Sequence, residues 1–172
     1  MLFSVCLNRL YAQLETEDAL PFAAGQVELS GSLEHQISKE GTETALPLAL
    51  EYGLSKRFTF LVEPVVFTNI HSKSGNNVTG FGDLEMTLFF NLLKETKSFP
   101  AITFSGEIKL PTAKDSLIGT GKTDFTPFFI ASKTLGKFYT SINFSYTFLG
   151  KPSPITFSIM RLEQSSRLRK KV

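Results

Sequence analysis

The chain has 172 residues, enough for one domain with a sizeable core, and 42% of them are hydrophobic. A net charge of +2, spread out except at the extreme end, leaves no phosphate-binding stripe and argues against a nucleic-acid partner. No run of about 18 apolar residues exists, which excludes a transmembrane helix but not a membrane barrel, whose strands each carry a weak signal.

Phe is unusually common at 17, Trp is absent, and Gly and Pro punctuate the chain throughout. That composition favours β structure. Residues 1–12 read as the back half of a secretory signal with a clipped start, ending near Ala12. The positive n-region is missing and Arg9 interrupts the apolar part, so an ordinary N-terminal segment stays open. The single Cys6 lies within this stretch and cannot support a disulfide framework. Residues 13–24, with Glu15, Glu17 and Asp18, read as an acidic, mobile lead-in.

A β meander is expected over 25–160. The first strand, 25–37, sets Val27, Leu29, Leu33 and Ile37 against Glu28, Ser30, Glu34 and Gln36. A polar turn is predicted over 39–44. The second strand, 45–54, sets Leu46, Leu48, Leu50, Tyr52 and Leu54 against Ala49, Glu51 and Gly53. The third, 58–70, sets Phe58, Phe60, Val62 and Val66 against Thr59, Glu63 and Asn69, with a bulge or break expected at Pro64. Residues 71–80 read as a polar loop. The fourth strand, 81–93, sets Leu84, Met86, Leu88, Phe90 and Leu92 against Asp83, Glu85, Thr87 and Asn91. The fifth, 99–110, sets Ile102, Phe104, Ile108 and Leu110 against Thr103, Ser105, Glu107 and Lys109. After a long turn-rich stretch at 111–122, the sixth strand, 123–134, is less clean: Phe125, Phe128, Phe129 and Ile130 occupy both parities.

The seventh strand is the clearest. Thr140, Ile142, Phe144, Tyr146 and Phe148 share one parity, and Tyr139, Ser141, Asn143, Ser145 and Thr147 share the other. Side chains alternate faces along a strand, so this ribbon has a greasy aromatic face and a small polar one. An eighth strand is predicted near Ile155, Phe157 and Ile159, followed by a basic, disordered tail over 161–172.

Two readings fit such ribbons: a soluble sandwich or barrel with its greasy face inward, or a membrane barrel with lipid outside and water inside. The connections from Lys39 to Lys137 alternate long and short, the habit of bacterial outer-membrane barrels. Mid-strand charges on the polar parity suit either a water-filled lumen or a soluble outer surface. The aromatic apolar face, repeated along so many meandering strands with no helix to cap it, favours lipid. The expected fold is therefore an all-β antiparallel up-and-down meander, either an outer-membrane β-barrel or an incomplete, unclosed part of one. Glu28, Glu51, Glu63, Glu85, Glu107 and Lys109 are the expected lumen-lining residues.

Several sequence pieces occur in order: Gly80-Phe81-Gly82-Asp83-Leu84, Gly106-Glu107-Ile108-Lys109-Leu110-Pro111-Thr112, Gly119-Thr120-Gly121-Lys122-Thr123-Asp124 and Asn143-Phe144-Ser145-Tyr146-Thr147-Phe148-Leu149-Gly150. Over about 25–150 the chain resembles the outer-membrane transporters of the MetA-pathway phenol-degradation family. The resemblance implies an outer-membrane barrel passing small hydrophobic or aromatic compounds, with no catalytic residues and no cofactor. Members of that family are longer, which implies a truncation near Pro154.

Other chemistry weighs less. Gly119-Thr120-Gly121-Lys122-Thr123 invites a phosphate loop, but that pattern needs a glycine where Ser116 stands and a helix where 125–130 reads as strand. His35 and His71 are too isolated for a metal site. Asn77-Val78-Thr79 marks an exposed loop. Nothing positions the Glu pairs as acid and base. The expected function is a channel or transporter in the bacterial outer membrane, in contact with its lipid and a small hydrophobic solute. A soluble lipocalin-like binder and a non-functional fragment are the alternatives.

Overall fold

The computed structural model describes residues 22–136 and 138–150, together with the backbone of 161–165. The described residues contain ten strands and no helix: β1 (Val27–Gly31), β2 (Glu34–Ile37), β3 (Gly41–Gly53), β4 (Phe58–Ser72), β5 (Asn77–Gly80), β6 (Leu84–Leu93), β7 (Ala101–Leu110), β8 (Asp124–Leu135), β9 (Phe138–Ser145) and β10 (Arg161–Ser165). All join one antiparallel sheet in the order β1-β3-β4-β6-β7-β8-β9-β10, with β2 also on β3 and β5 also on β4. The sheet is a meander curled into an open half-barrel. Among the described residues no pairing joins β1 or β2 to β9 or β10.

Pro47 stands at two of the interruptions along this meander, and a third register shift, between Asn91 and Leu93, makes Leu92 an extra residue on β6. The strand predicted over 25–37 divides because its partner β3 carries Pro47, which has no N–H to donate to a ladder. Pairing of β1 ends at Gly31↔Leu48 and resumes in β2 at Glu34↔Ala45. Between them the Ser32 amide donates to the Pro47 carbonyl at 3.1 Å. On the other side of β3 the register moves from Leu46↔Phe67 to Pro47↔Val65, so Val66 is an extra residue on β4. The irregularity expected at Pro64 is thus a bulge two residues further on, and β4 runs through it. The bulge exchanges the faces of β4, putting Thr59, Leu61 and Glu63 on the same side as Thr68.

Two predicted loops are shorter than expected. β3 begins at Gly41, so the first connection closes tightly, with the Ser38 amide donating to the Gly41 carbonyl at 2.8 Å. The stretch read as a loop over 71–80 is mostly ladder, with His71↔Asn77, Ile70↔Val78, Asn69↔Thr79 and Thr68↔Gly80 in register. Polar Gly/Asn-rich composition marks where a turn can form, but backbone pairing continues wherever both faces tolerate water. Of the expected long connections only 111–123 remains long, so the rim asymmetry rests on it. At the other rim β8 and β9 meet in a tight hairpin at Leu135↔Phe138, where Gly136 adopts φ +64. The strand predicted at 155–159 lies outside the described residues. The segment read as a disordered tail from Arg161 opens with β10, in register with β9 from Arg161↔Asn143 to Ser165↔Tyr139.

Along the sheet small polar side chains are buried and many large apolar ones are exposed. Curling crowds the side chains of the inner face and spreads those of the outer face. On the crowded side stand small polar residues: Thr87 and Ser105 are 0% exposed, and Thr59, Thr103, Thr126, Ser132 and Ser141 are buried. On the outer side Phe104 is 46% exposed, Leu88 45% and Phe144 45%. Register aligns the outer residues in lateral rows. One reads Phe58↔Phe90↔Phe104↔Phe129↔Phe144 across five successive strands, with Phe58 and Phe90 stacked at 4.8 Å. Another reads Leu50↔Val62↔Met86↔Ile108↔Phe125↔Phe148. The inner face also holds a small apolar cluster of Leu61, Phe89, Ala101 and Ile130, packed with Ala49 and Phe128.

The long connection is clamped onto the break between β5 and β6. Thr112 Oγ1 donates to the Gly82 carbonyl at 3.0 Å, and the Ala113 amide donates to Asp83 Oδ1 at 3.0 Å. Asp115 turns the loop, accepting from the Leu117 amide through Oδ1 at 2.8 Å. Gly119 lies so close to the Asp83 carboxylate that a Cβ there would stand 2.7 Å from Oδ1. The glycine-rich and proline-containing pieces singled out in the sequence therefore meet at one rim. Replacing Asp83 with Ala should free this loop, and limited proteolysis within 111–123 should then run several-fold faster than in the native chain. Unchanged cleavage would mean that the clamp does not hold the loop.

Candidate functional site

The inner face of β3 to β8 brings most of the predicted residues into two adjacent lateral rows. One row runs Glu63↔Glu85↔Lys109↔Asp124 across β4, β6, β7 and β8. The next runs Glu51↔Leu61↔Thr87↔Glu107↔Thr126 from β3 to β8. Glu107 is buried, and Glu51, Glu63, Glu85 and Lys109 are half-buried. Glu28 stands apart on exposed edge strand β1, opposite Glu51 alone.

Lys109 Nζ forms an ion pair with Asp124 Oδ2, while Asp124 Oδ1 accepts the Gly150 amide at 3.1 Å. Asp124 is an inner-face residue outside the set expected from the sequence, as are Glu34 and Glu43. Its signal was the parity it shares with Thr126 and Ser132, obscured by the aromatic residues on both faces of that strand. Small hydroxyls surround these charges. Thr126 and Thr147 share a hydrogen bond at 3.0 Å, and Asn91 Nδ2 donates to Thr103 Oγ1 at 3.0 Å nearer the short-turn rim. Thr87 Oγ1, Ser105 Oγ and Ser132 Oγ are buried with no hydrogen-bond partner among the described residues. Such orphaned hydroxyls are uncommon in protein interiors and mark where water or a ligand supplies the partner.

The remaining candidates resolve differently. Residues 119–123 run into strand β8, with Gly119 against a carboxylate, and so offer no phosphate cradle. His35 Nδ1 bonds Thr44 Oγ1 at 2.8 Å on an exposed face, and His71 is exposed at the end of β4. Among the described residues no group of three or more His, Cys, Asp or Glu converges as a metal site. The Asn77-Val78-Thr79 tripeptide belongs to strand β5 and not to a loop, and Asn69 Nδ2 donates to Thr79 Oγ1 at 2.8 Å.

At the short-turn rim a second polar clamp ties the β6–β7 connection to β8. Glu95 Oε1 accepts the Thr134 amide at 2.8 Å, and its Oε2 accepts the Thr134 hydroxyl at 3.0 Å. Lys133 Nζ lies 3.7 Å from Glu95 and donates to the carbonyls of Thr96, Lys97 and Phe99. The Thr134 amide, ahead of the smaller pull of Lys133, holds the Glu95 carboxyl below its ordinary value. No family model matches the chain, and no curated protein matches it.

A lowered folded-state value fixes the sign of the pH dependence. The contribution of Glu95 is fully present above its ordinary value of 4.5 and is lost as pH falls through the lower folded value. Thermal unfolding of the native chain and of Glu95→Gln should therefore differ near neutral pH and converge in acid. A gap that persisted or widened in acid would contradict this role.

Proposed function

We propose that this chain is an outer-membrane β-barrel, or an unclosed part of one, whose inner face lines an aqueous passage for small solutes. The observation that carries the reading is the inverted burial: exposed aromatic rows outside, small polar and acidic residues crowded inside. In lipid every backbone group needs a partner within the protein, which a curled antiparallel sheet supplies along each ladder. β6 and β7, each of 10 residues, match the roughly 9–11 residues of a tilted membrane-spanning strand. A lipocalin-like binder needs the apolar parity inward, the opposite of the arrangement found.

Small hydrophobic or aromatic compounds are the cargo that the transporter resemblance implies. Glu51, Glu63, Glu85, Glu107 and Lys109 line the passage in this reading, with Glu28 at its edge.

The direct test is alkaline carbonate washing of membranes from cells that make the protein. The chain should stay with the outer-membrane pellet, and quantitative release into the wash would defeat the proposal. A point substitution separates lipid from water at a single position. Phe104→Arg places a charge in the middle of an outer-face row, where lipid contact makes it cost about 2–4 kcal/mol. Equilibrium folding into lipid vesicles should register that loss. Unaltered stability would mean that the Phe104 side chain faces water.

A further inference from the structure

We propose that Ile118 forms an apolar constriction at the long-loop mouth and holds back hydrated ions, an inference that rests on the channel reading above. The inner face changes character toward this mouth. Beyond the Glu63↔Glu85 pair its inner-parity pairs are Pro47↔Val65, Ala45↔Thr68 and Ile70↔Val78. Ala45, Pro47, Val65, Ile70 and Val78 are half-buried and apolar, and the carboxylate among them is Glu43, beside Ile70. The wall of the mouth on the β3 to β5 side is thus largely apolar.

The connection 111–123 adds the residue that narrows it. β7 stops at Leu110, opposite Leu84, while the neighbouring stretch extends past Asp83 into β5. Gly80 of β5 shares the inner parity of Thr68, and a Cβ on Gly80 would stand 3.1 Å from Ile118 Cδ1. The Ile118 side chain therefore lies on the concave side of the sheet, over a glycine whose missing side chain admits it. Its turn is held from several sides. The Ile118 and Gly119 amides both donate to the Asp115 carbonyl, at 3.1 and 3.0 Å. Gly119 is buried, and a Cβ there would stand 2.6 Å from Ala113 Cβ and 2.7 Å from Asp83 Oδ1. Leu117, the next residue of the same turn, is 53% exposed, whereas Ile118 is half-buried. A hydrated ion passing apolar walls gives up water contacts and gains no partner, and narrow apolar constrictions stop ions by dewetting. An apolar solute loses nothing there.

The experiment is single-channel conductance of the protein purified from outer membranes and inserted in a planar bilayer, in concentrated KCl, where fixed charges are screened. Ile118→Asn should conduct several-fold more than the native chain, and Leu117→Asn should conduct as the native chain does. Deletion of 114–118 joins Ala113 to Gly119, which already lie together, and should raise conductance at least as much. Equal conductance of the native chain, Ile118→Asn and the deletion would overturn the constriction and leave the channel reading standing. An equal rise with Leu117→Asn would assign the effect to a loosened loop and overturn the role of Ile118. Inserted protein that conducts in none of these forms would overturn both readings. If Ile118→Asn fails to fold, the deletion compared with the native chain decides the matter.

Discussion

The structure depends on a single constraint, the strict two-residue alternation of side chains that backbone pairing imposes on a sheet. Wherever register holds between bulges, an apolar residue on one strand finds an apolar residue beside it on the neighbour. The row of Phe58, Phe90, Phe104, Phe129 and Phe144 is that rule carried across five strands. A slip of one residue anywhere in the meander would bring phenylalanine and carboxylate onto the same face. Pairing and polarity therefore reinforce each other, and the sheet needs no helix to fix its faces.

Curvature converts two faces into two environments. The inner face accommodates buried Thr and Ser side chains because these are small. The outer face carries the bulk and leaves it exposed. Where the alternation would fail, proline and a bulge repair it. Val66 is the extra residue that returns Thr68 to the side of Glu63, and Pro47 divides the facing edge strand into β1 and β2. At the rims, interactions of a different kind hold the connections. Carboxylates accept main-chain amides, Asp83 from Ala113 and Glu95 from Thr134. The chemistry of the rims is thus that of polar clamps, while the middle of the sheet is sorted by face except for the inner apolar cluster around Leu61, Phe89 and Ile130.

Much of this was legible in the amino-acid sequence because period-two alternation is a property of single strands. The faces of 84–92, 102–110 and 140–148 could be assigned residue by residue, and Glu63, Glu85, Glu107 and Lys109 share the inner face as read. What could not be read were properties of pairs of strands. Pro47 acts on its neighbour rather than on β3, so the division of the first strand was invisible locally. The stretch from His71 to Gly80 has the composition of a loop, yet its backbone still finds partners in β4. Asp124 was hidden because Phe128 and Ile130 place apolar groups on the inner parity of β8, where they join the cluster with Leu61 and Phe89.

The central claim is that the apolar parity faces lipid and the polar parity faces water. It is tested most directly by spin labels placed singly at successive residues from Ile102 to Lys109 in β7 of the membrane-inserted protein. The account predicts that labels at the even positions respond to oxygen dissolved in lipid. Labels at the odd positions should respond instead to a water-soluble paramagnet or be shielded. The reverse alternation, with even positions shielded from both reagents and odd positions open to water, would contradict the account and place the aromatic face in a protein core.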